Sequence, residues 1–199
     1  MKATALTLIG TASASFVNLG WCPLKMPDPV GNFEPSRYAG NWYEIYRDKD
    51  LWYEQNVECV TATYKYEPDV WFYPVSVNNR NYKRAEDKVT NTLIEGTDIT
   101  YARATFDPEG NGRVKFWWYP DGNYQVLATD YDNWALVYGC DTWMGLFYTQ
   151  EAWLLSRTRT VTDQQVAEIK LILQQKVNHY DYDVQWLKTN QGSDCKYDI

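Results

Sequence analysis

The sequence contains a single histidine, His179, and only four cysteines, which lie far apart. Because His179 falls late in a predicted helix, no Ser-His-Asp or Cys-His arrangement can be assigned from the sequence. The cysteines, Cys22, Cys59, Cys140 and Cys195, form no C-x-x-C pair. This spacing argues against a zinc site and against a thioredoxin-type redox motif. We therefore predict no metal ligands and no catalytic residues.

Positive charge is also scarce: 19 Lys and Arg residues face 26 Asp and Glu residues, giving a formal net charge of −7 and a pI of about 4.7. An acidic surface repels phosphate backbones, and no dense Lys/Arg cluster is present, so we predict no nucleic-acid partner. No run approaches the roughly 20 apolar residues that a membrane span requires, so we expect no transmembrane helix. There is no Asn-x-Ser/Thr sequon.

The N-terminal segment has the pattern of a secretory signal. Met1-Lys2 supplies positive charge, Ala3–Ala14 is small or apolar and uncharged, and Ala12-Ser13-Ala14 has the form of a cleavage site. We predict a signal peptide over residues 1–20, cut between 14 and 20, and one secreted domain over 21–199. In an exported protein four cysteines predict two disulfides, although the residues alone leave three pairings open.

Aromatic side chains are abundant, since ten Trp, 17 Tyr and six Phe residues make up 17% of the chain. Such side chains favour strands and bury large areas. Segments rich in them, bounded by Gly, Pro, Asn and Asp, predict strands. They lie near residues 41–48, 57–67, 69–79, 90–97, 99–106, 113–119, 123–130, 133–140 and 146–157. Short turns make consecutive strands antiparallel neighbours, which favours a closed barrel or a sandwich.

One helix follows the strands. Thr162 is a suitable N-cap, and Gln165 stands three residues later as in a capping box. Apolar residues then recur at helical spacing at Val166, Ile169, Leu173 and Val177. We expect this apolar face to cover the outside of the sheet, and we expect a last short strand near Asp183–Leu187.

Three motifs occur in order along the chain. The first, Tyr38–Ile45, contains Gly40-x-Trp42; the second, Leu127–Cys140, contains Thr129-Asp130-Tyr131; the third, Ala152–Arg157, ends in an arginine. With these motifs the sequence resembles the lipocalin family over about residues 20 to 195. Within the family it is similar to the apolipoprotein D-like group, and also to insect and crustacean lipocalins that bind bilins or carotenoids.

The resemblance implies an eight-stranded up-and-down antiparallel β-barrel with one C-terminal α-helix packed on its outside. It implies that Trp42 plugs the closed end of the barrel and that Arg157 lies across its indole, a favourable cation–π contact. Gly40 would admit the chain to the barrel base without a Cβ clash. Asp130 would accept hydrogen bonds from backbone N–H groups in a tight turn. The implied disulfides are Cys22–Cys140 and Cys59–Cys195.

The resemblance also implies a small hydrophobic ligand inside the barrel and no other cofactor. Side chains alternate along a strand, so an inward Arg157 places Leu155, Trp153, Glu151 and Thr149 on the inner face. The predicted ligand-binding residues are Trp153, Phe116, Trp118, Tyr124, Tyr64 and Tyr46. Retinoids, bilins, carotenoids, steroids and fatty acids all suit such a lining, and the sequence does not choose among them.

Two alternative functions stay open on the sequence. An isomerase on the same fold would need a free thiol near the pocket, whereas Cys59 has a partner in the implied scheme; inward-facing Glu44 and Glu151 would be the acidic groups to consider. In the other alternative the barrel is a scaffold that associates with itself or with another protein. Exposed aromatic residues would form that surface, with Trp52, Tyr53, Trp143 and Phe147 as candidates.

Overall fold

The structure, a computed structural model, describes residues 18–84, 93–95, 100–116 and 120–197. Most of the predicted signal segment lies outside these ranges. The strands in them are β1 (Asn18–Leu19), β2 (Gly40–Asp48), β3 (Val57–Tyr66), β4 (Val75–Arg84), β5 (Leu93–Glu95), β6 (Thr100–Phe106), β7 (Asn111–Phe116), β8 (Gly122–Thr129), β9 (Trp134–Trp143), β10 (Phe147–Ser156) and β11 (Trp186–Lys188). The helices are α1 (Pro35–Tyr38), α2 (Asp163–Lys176) and α3 (Tyr182–Gln185).

The strands form one closed antiparallel barrel. Neighbours along the chain pair from β2 to β10, and β5 and β6 pair with the two ends of β4 as one interrupted strand. β10 pairs in turn with β2, with Leu155 opposite Glu44, and this pairing closes the sheet. The predicted eight-stranded barrel is therefore confirmed. Closure pairs the two strands that would otherwise be the edges of a sheet rich in apolar side chains.

The barrel has two separate apolar regions, one on each face of the sheet. The interior cluster contains Phe33, Tyr38, Trp42, Tyr64, Val75, Val77, Ala102, Ala104, Val114, Val126, Tyr131, Ala135, Val137 and Leu155. The outer cluster joins Leu127, Leu136, Tyr138 and Leu154 of the barrel wall to Val166, Ile169 and Leu173 of α2. The division follows from the alternation of side chains along each strand.

Helix α2 begins as predicted. Thr162 has an extended backbone, and its hydroxyl accepts a hydrogen bond from the backbone N–H of Gln165 at 3.2 Å. Val166, Ile169 and Leu173 are buried against the outside of the barrel. The predicted helix and the face that it covers are thus confirmed.

Two predicted strand boundaries were wrong. The predicted strand 69–79 is in fact β4 at Val75–Arg84, because Trp71 and Phe72 stack on each other in an exposed loop, with ring centroids 6.0 Å apart. Their composition is that of a strand, although their backbone turns. The predicted strand Asp183–Leu187 starts only at Trp186, because the Asp181 carboxylate accepts hydrogen bonds from the next backbone N–H groups and starts α3.

Both disulfides have the pairing that the resemblance implies: Cys22 is bonded to Cys140, and Cys59 to Cys195. The first holds the N-terminal arm on β9, and the second holds the C-terminal tail on β3. A disulfide between such distant positions stabilises the fold chiefly by restricting the unfolded chain.

The C-terminal tail completes the barrel wall where two strands separate. β2 pairs with β3 only from Gly40 to Tyr43. Beyond Tyr43 the C-terminal tail lies between β2 and β3. Thr189 N–H donates to the carbonyl of Ile45 in β2, and Cys59 N–H in β3 donates to the carbonyl of Asn190. The Gln191 side-chain amide donates to the carbonyls of Glu44 and Val60, both at 2.8 Å. The tail therefore satisfies backbone groups that strand pairing leaves open.

The closed end contains the motif residues. Arg157 Cζ lies 3.6 Å from the centroid of the Trp42 ring, and Gly40 has a φ of +105°. A Cβ at Gly40 would lie 3.1 Å from Arg157 Nη1, so glycine suits both the backbone and the space. Asp130 accepts hydrogen bonds from the backbone N–H groups of Asn133 and Trp134, at 2.8 and 3.0 Å.

The two neighbours of Asp130 support the same turn. The Thr129 hydroxyl donates to the carbonyl of Trp134 and accepts from Tyr131 N–H. The Tyr131 hydroxyl accepts from Glu34 N–H, which ties the turn to the start of α1.

Among the described residues, no helix has the length and apolar character needed to cross a membrane.

Candidate functional site

The inner face of β10 supplies the first wall of the site. Leu155 belongs to the interior cluster, and Trp153 packs against it. Glu151, two residues further along, lies opposite Gly139 of β9. A Cβ at Gly139 would lie 3.1 Å from Glu151 Oε2 and 3.7 Å from Trp153, so both side chains lie over the same glycine. The lack of a side chain there leaves room for them.

Aromatic rings form most of the remaining lining. Tyr64 is part of the interior cluster, and Phe116, Tyr124 and Phe106 pack against it. Tyr124 and Trp153 are stacked, with ring centroids 6.4 Å apart and an interplanar angle of 25°. The structure thus brings together four of the six predicted ligand-binding residues, namely Trp153, Phe116, Tyr124 and Tyr64.

Three tyrosine hydroxyls meet inside this lining. Tyr124 Oη lies 2.9 Å from Tyr38 Oη and 2.8 Å from Tyr64 Oη. Burial raises the pKa of Tyr64 to about 12, while a hydrogen bond with Tyr124 acts in the opposite direction. Burial, and then the neighbouring Tyr38 and Tyr64, raise the pKa of Tyr124 well above its ordinary value. The group stays neutral and satisfies its own hydrogen bonds, so it forms a polar contact within an apolar floor.

The interior keeps accessible surface above this floor. Trp42, Ala104 and Val126 at the closed end are fully buried. In contrast, Phe116, Tyr124 and Trp153 are only partly buried, although they point into a closed barrel. Side chains that retain surface on the inside of a closed wall border an interior space, which an eight-stranded barrel can offer to one small ligand.

A charged group lies at one side of the interior. Arg47 Nη1 donates to Glu44 Oε1 and to Thr189 Oγ1, both at 2.9 Å. Its Nη2 donates to the carbonyls of Glu54 and Val57, and its Nε lies 3.8 Å from Glu54 Oε2. Glu44 and Arg47 are almost completely buried. All the donors of this guanidinium are therefore directed at groups of the protein itself.

The Glu54 carboxyl is incompletely satisfied. Its Oε2 is buried and has no hydrogen-bond partner. Burial, and then the nearby charge of Glu44, raise the pKa of Glu54 well above its usual range, against the opposing effect of Arg47. Asn79 and Asn81 each have a buried amide oxygen without a partner as well. By alternation along β4, these two side chains share the inner face with Val75 and Val77.

Glu151 is a second buried carboxyl. Burial, and then the charges of Asp141 and Asp48, raise its pKa to about 8, while a hydrogen bond with Thr149 opposes the shift. Asp141, two residues beyond Gly139 on the inner face of β9, also has a pKa raised by burial. For Asp141 the charge of Arg113 opposes the shift, whereas for Glu151 no positive charge among the described residues is found to oppose it.

Tyr53 connects the two acidic groups. It lies on the 3₁₀ turn Trp52–Glu54, between β2 and β3. Burial raises its pKa well above the ordinary value, and Glu151, Glu54, Glu44 and Asp141 each raise it further. Yet 47% of the Tyr53 side chain is accessible. Tyr53 is therefore partly exposed, and its ring interacts with all four carboxyls.

Two predicted ligand-binding residues differ from the rest. Trp118 lies outside the described residues. The prediction for Tyr46 was wrong: its ring stacks on Trp186 outside the barrel, with centroids 5.4 Å apart, and it packs with the outer cluster. The cause is a register shift between β10 and β2, where Leu154 pairs with Tyr46 but Leu155 with Glu44. The extra residue, Ile45, reverses the alternation beyond it.

The same shift turns Arg47 inward, a position that the sequence pattern does not indicate. Simple alternation from Trp42 would have placed Arg47 outside and Tyr46 inside. Glu54 was also missed, because it belongs to a turn whose direction depends on Arg47. No local sequence signal marks either residue as interior. Glu44 and Glu151, in contrast, were recognised as carboxyls on the inner face.

The residues needed for the enzyme alternative are not assembled. All four cysteines are in disulfides, so no thiol is free. His179 lies at the surface beyond α2, beside a cleft of about 310 Å³ that the N-terminal arm lines. Within the described part of the chain, no three His, Cys, Asp or Glu side chains are grouped as metal ligands.

The aromatic residues proposed for an interaction surface have different environments. Tyr53 is 47% accessible and interacts electrostatically with the four carboxyls. Trp143 is 37% accessible, and its indole N–H donates to Thr149 Oγ1. Phe147 is half-buried opposite Trp143, and the side chain of Trp52 lies outside the described part. The more exposed apolar residues near the turn between β9 and β10 are Leu19, Trp21, Met144 and Leu146.

A closed antiparallel barrel of eight strands, with a plugged base and an aromatic interior, is of the size that can hold one small molecule inside. The family model of the lipocalin / cytosolic fatty-acid binding proteins matches residues 74–184. Apolipoprotein D of Bos taurus is 35% identical over 166 residues, covering 83% of this chain and 82% of the relative. Apolipoprotein D of Macaca fascicularis is 32% identical over 167 residues, with the same coverage. The chain belongs to the lipocalin / cytosolic fatty-acid binding protein family.

Solved structures agree on the fold. Insecticyanin from Manduca sexta superposes with a TM-score of 0.70 at 23% identity, covering 92% of this chain and 93% of that protein. Lobster apocrustacyanin A1 gives a TM-score of 0.59 at 20% identity, covering 87% and 96% of the two chains. At these identities the likeness establishes the barrel and not its ligand.

Proposed function

We propose that the protein is a secreted carrier that holds a small hydrophobic molecule inside the barrel and does no chemistry on it. The observation that carries this proposal is the accessible aromatic lining formed by Trp153, Tyr124 and Phe116 above a packed floor. Apolar surface that is exposed inside a protein gains about 25 cal/mol per Å² when a ligand covers it. The ligand class includes retinoids, bilins, carotenoids, steroids and fatty acids.

Export is part of the proposal. The charged start, the uncharged segment after it and the small-x-small site favour a signal peptide over residues 1–20. Two disulfides suit an oxidising compartment. The absence of a free thiol and the solvent-exposed position of the one histidine favour carriage over catalysis.

Native mass spectrometry of the protein isolated from its natural source tests carriage directly. We expect an added mass, lost on denaturation, that identifies the ligand. In parallel, retinoids, bilins, steroids and fatty acids are titrated while tryptophan emission is recorded. An unliganded natural protein that also responds to none of these compounds would contradict the proposal.

A matched pair of variants locates the binding site. Trp153→Phe removes an indole from the interior, whereas Trp186→Phe removes one from the outer wall, where it stacks on Tyr46. Ligand titrations should lose much of their quenching in the first variant and keep it in the second. Equal responses would place the ligand outside the barrel.

A second candidate function is self-association through the turn between β9 and β10. Met144 and Leu146 are 89% and 60% accessible, and the arm residues Leu19 and Trp21 lie beside them, held by hydrogen bonds to the turn. Together they form an apolar patch that a second copy can cover. Sedimentation velocity should show an oligomer that Leu146→Glu disrupts, while Leu171→Glu on the exposed side of α2 does not. A wild-type monomer at high concentration would contradict it.

A further inference from the structure

Acidic side chains outnumber basic ones among the polar groups described for the barrel interior. Four carboxyls, Glu44, Glu54, Asp141 and Glu151, act together on the ring of Tyr53. Two cations interact with these carboxyls: Arg47, whose hydrogen bonds go to Glu44, Thr189 and backbone carbonyls, and Arg113, which acts on Asp141. A ligand carboxylate placed beside Glu151 would therefore meet acidic side chains, whose ionisation it would oppose, and not the hydrogen-bond donors of Arg47.

The buried polar atoms that have no hydrogen-bond partner also favour a ligand that carries N–H groups. Glu54 Oε2 is buried without a hydrogen-bond partner, and so are the amide oxygens of Asn79 and Asn81 on the inner face of β4. In the structure each of these three oxygen atoms can accept a hydrogen bond. Buried acceptors without partners cost free energy, which a ligand that carries N–H donors can recover.

The aromatic rings beside the carboxyls also favour a particular kind of ligand. Trp153 lies next to Glu151 over Gly139, Tyr124 stacks on Trp153, and Tyr53 keeps 47% of its surface accessible near the four carboxyls. Aromatic faces attract organic cations, and the attraction is larger where water is excluded. A carboxyl next to accessible rings is a suitable environment for a positively charged nitrogen on an apolar body.

We propose that the barrel selects an apolar molecule bearing an amine, with the nitrogen at Glu151 and the apolar body against Trp153 and Tyr124. This proposal rests on the carrier function and specifies the class of ligand. The amine supplies the countercharge that Glu151 lacks, and its N–H groups face the acceptors of the interior. Fatty acids, whose head group is a carboxylate, are disfavoured by the same arrangement.

Three probes with one apolar chain and different head groups test it: dodecylamine, 1-dodecanol and dodecanoate. Their affinities are measured by isothermal titration calorimetry near neutral pH, below the concentrations at which the probes form micelles. We expect dodecylamine to bind about tenfold or more tightly than either of the others, as a desolvated charge pair allows. Glu151→Gln should reduce that preference to about twofold while leaving 1-dodecanol unchanged.

The control is Glu168→Gln, the same chemical change on the exposed face of α2, which should leave all three affinities unchanged. Glu151→Gln replaces a carboxyl by a neutral group of nearly the same shape, and its folding is checked by circular dichroism. Equal affinities for the three probes, or preference for dodecanoate, would overturn the amine proposal and leave carriage intact. Failure of all three to bind would count against both proposals.

Discussion

The guanidinium of Arg157 covers the indole of Trp42 at 3.6 Å and also closes the barrel base through its hydrogen bonds. Its Nε donates to the carbonyl of Tyr131, its Nη1 to that of Asn41, and its Nη2 to that of Ala39 at the end of α1. One planar group thus connects the start of β2, the turn after β8 and the end of β10. A lysine has neither the flat face nor enough donors to do this.

Arg157→Lys should therefore lower the free energy of unfolding by about 2 to 4 kcal/mol, because backbone carbonyls lose donors and the indole loses its cover. Urea unfolding followed by tryptophan emission measures the change. Arg159→Lys is the control, since Arg159 is exposed and lies 5.7 Å from the Tyr197 ring. A loss of the same size in both variants would mean that the Trp42 contact has no special role.

The hydroxyl of Tyr124 supports two other buried hydroxyls, so Tyr124→Phe should leave those of Tyr38 and Tyr64 without a partner. We expect a loss of about 1 to 3 kcal/mol in thermal or urea unfolding, which is the cost of unsatisfied buried polar groups. Tyr101→Phe, at a side chain that is 68% accessible, should change stability by less than about 0.5 kcal/mol. If Tyr124→Phe has the same free energy of unfolding as the wild type, water replaces the missing hydroxyl.

The sequence predicts features whose signals are local. The N-cap at Thr162 and the turn at Asp130 each depend on residues close to one another in the chain, and both are found in the structure. The plug formed by Trp42, which the distant Arg157 covers, was expected from the family resemblance. The inner face of β10 was also predictable, because Trp153 and Leu155 alternate regularly from Arg157.

The errors have physical causes that act at a distance. The bulge at Ile45 depends on how β2 pairs with β10, and it exchanges the directions of Tyr46 and Arg47. The loop at Trp71 and Phe72 has the composition of a strand without the pairing of one. The carboxyl of Glu54 becomes interior only because Arg47 holds its turn, so no pattern in the sequence could have indicated it.

The raised pKa of Glu151 predicts a dependence of stability on pH. Its pKa is about 8 in the folded protein, against 4.5 for an ordinary glutamate. Between these values the folded protein holds a proton that the unfolded chain has lost, so the free energy of unfolding falls as the pH rises through this window. Glu54 has a pKa raised in the same direction, and Asp141, Asp48, Tyr53, Tyr138 and Tyr180 also interact electrostatically with Glu151.

Glu151→Gln removes this proton linkage at one position. Near pH 5, where Glu151 is protonated, the variant and the wild type should have similar free energies of unfolding; at about pH 9 the variant should be more stable by a few kcal/mol. Urea unfolding at several pH values measures the difference, and Glu168→Gln should show no such trend. A difference that does not vary with pH would mean that Glu151 is ionised throughout.

The last prediction concerns the tail that lies between β2 and β3. Gln191→Met keeps the volume of the side chain but removes both N–H donors, so the carbonyls of Glu44 and Val60 lose their partner. We expect a loss of about 2 kcal/mol in urea unfolding. Hydrogen exchange should also become faster at the amide of Cys59, which donates to Asn190 in the same tail.

Gln174→Met on the exposed side of α2 is the matched control and should leave both measurements unchanged. The result distinguishes two ways of holding the tail, because the Cys59–Cys195 disulfide is present in both variants. If exchange at Cys59 keeps its wild-type rate in Gln191→Met, the disulfide alone fixes the tail. If it rises, the hydrogen bonds of Gln191 are what close the barrel wall beside Glu44.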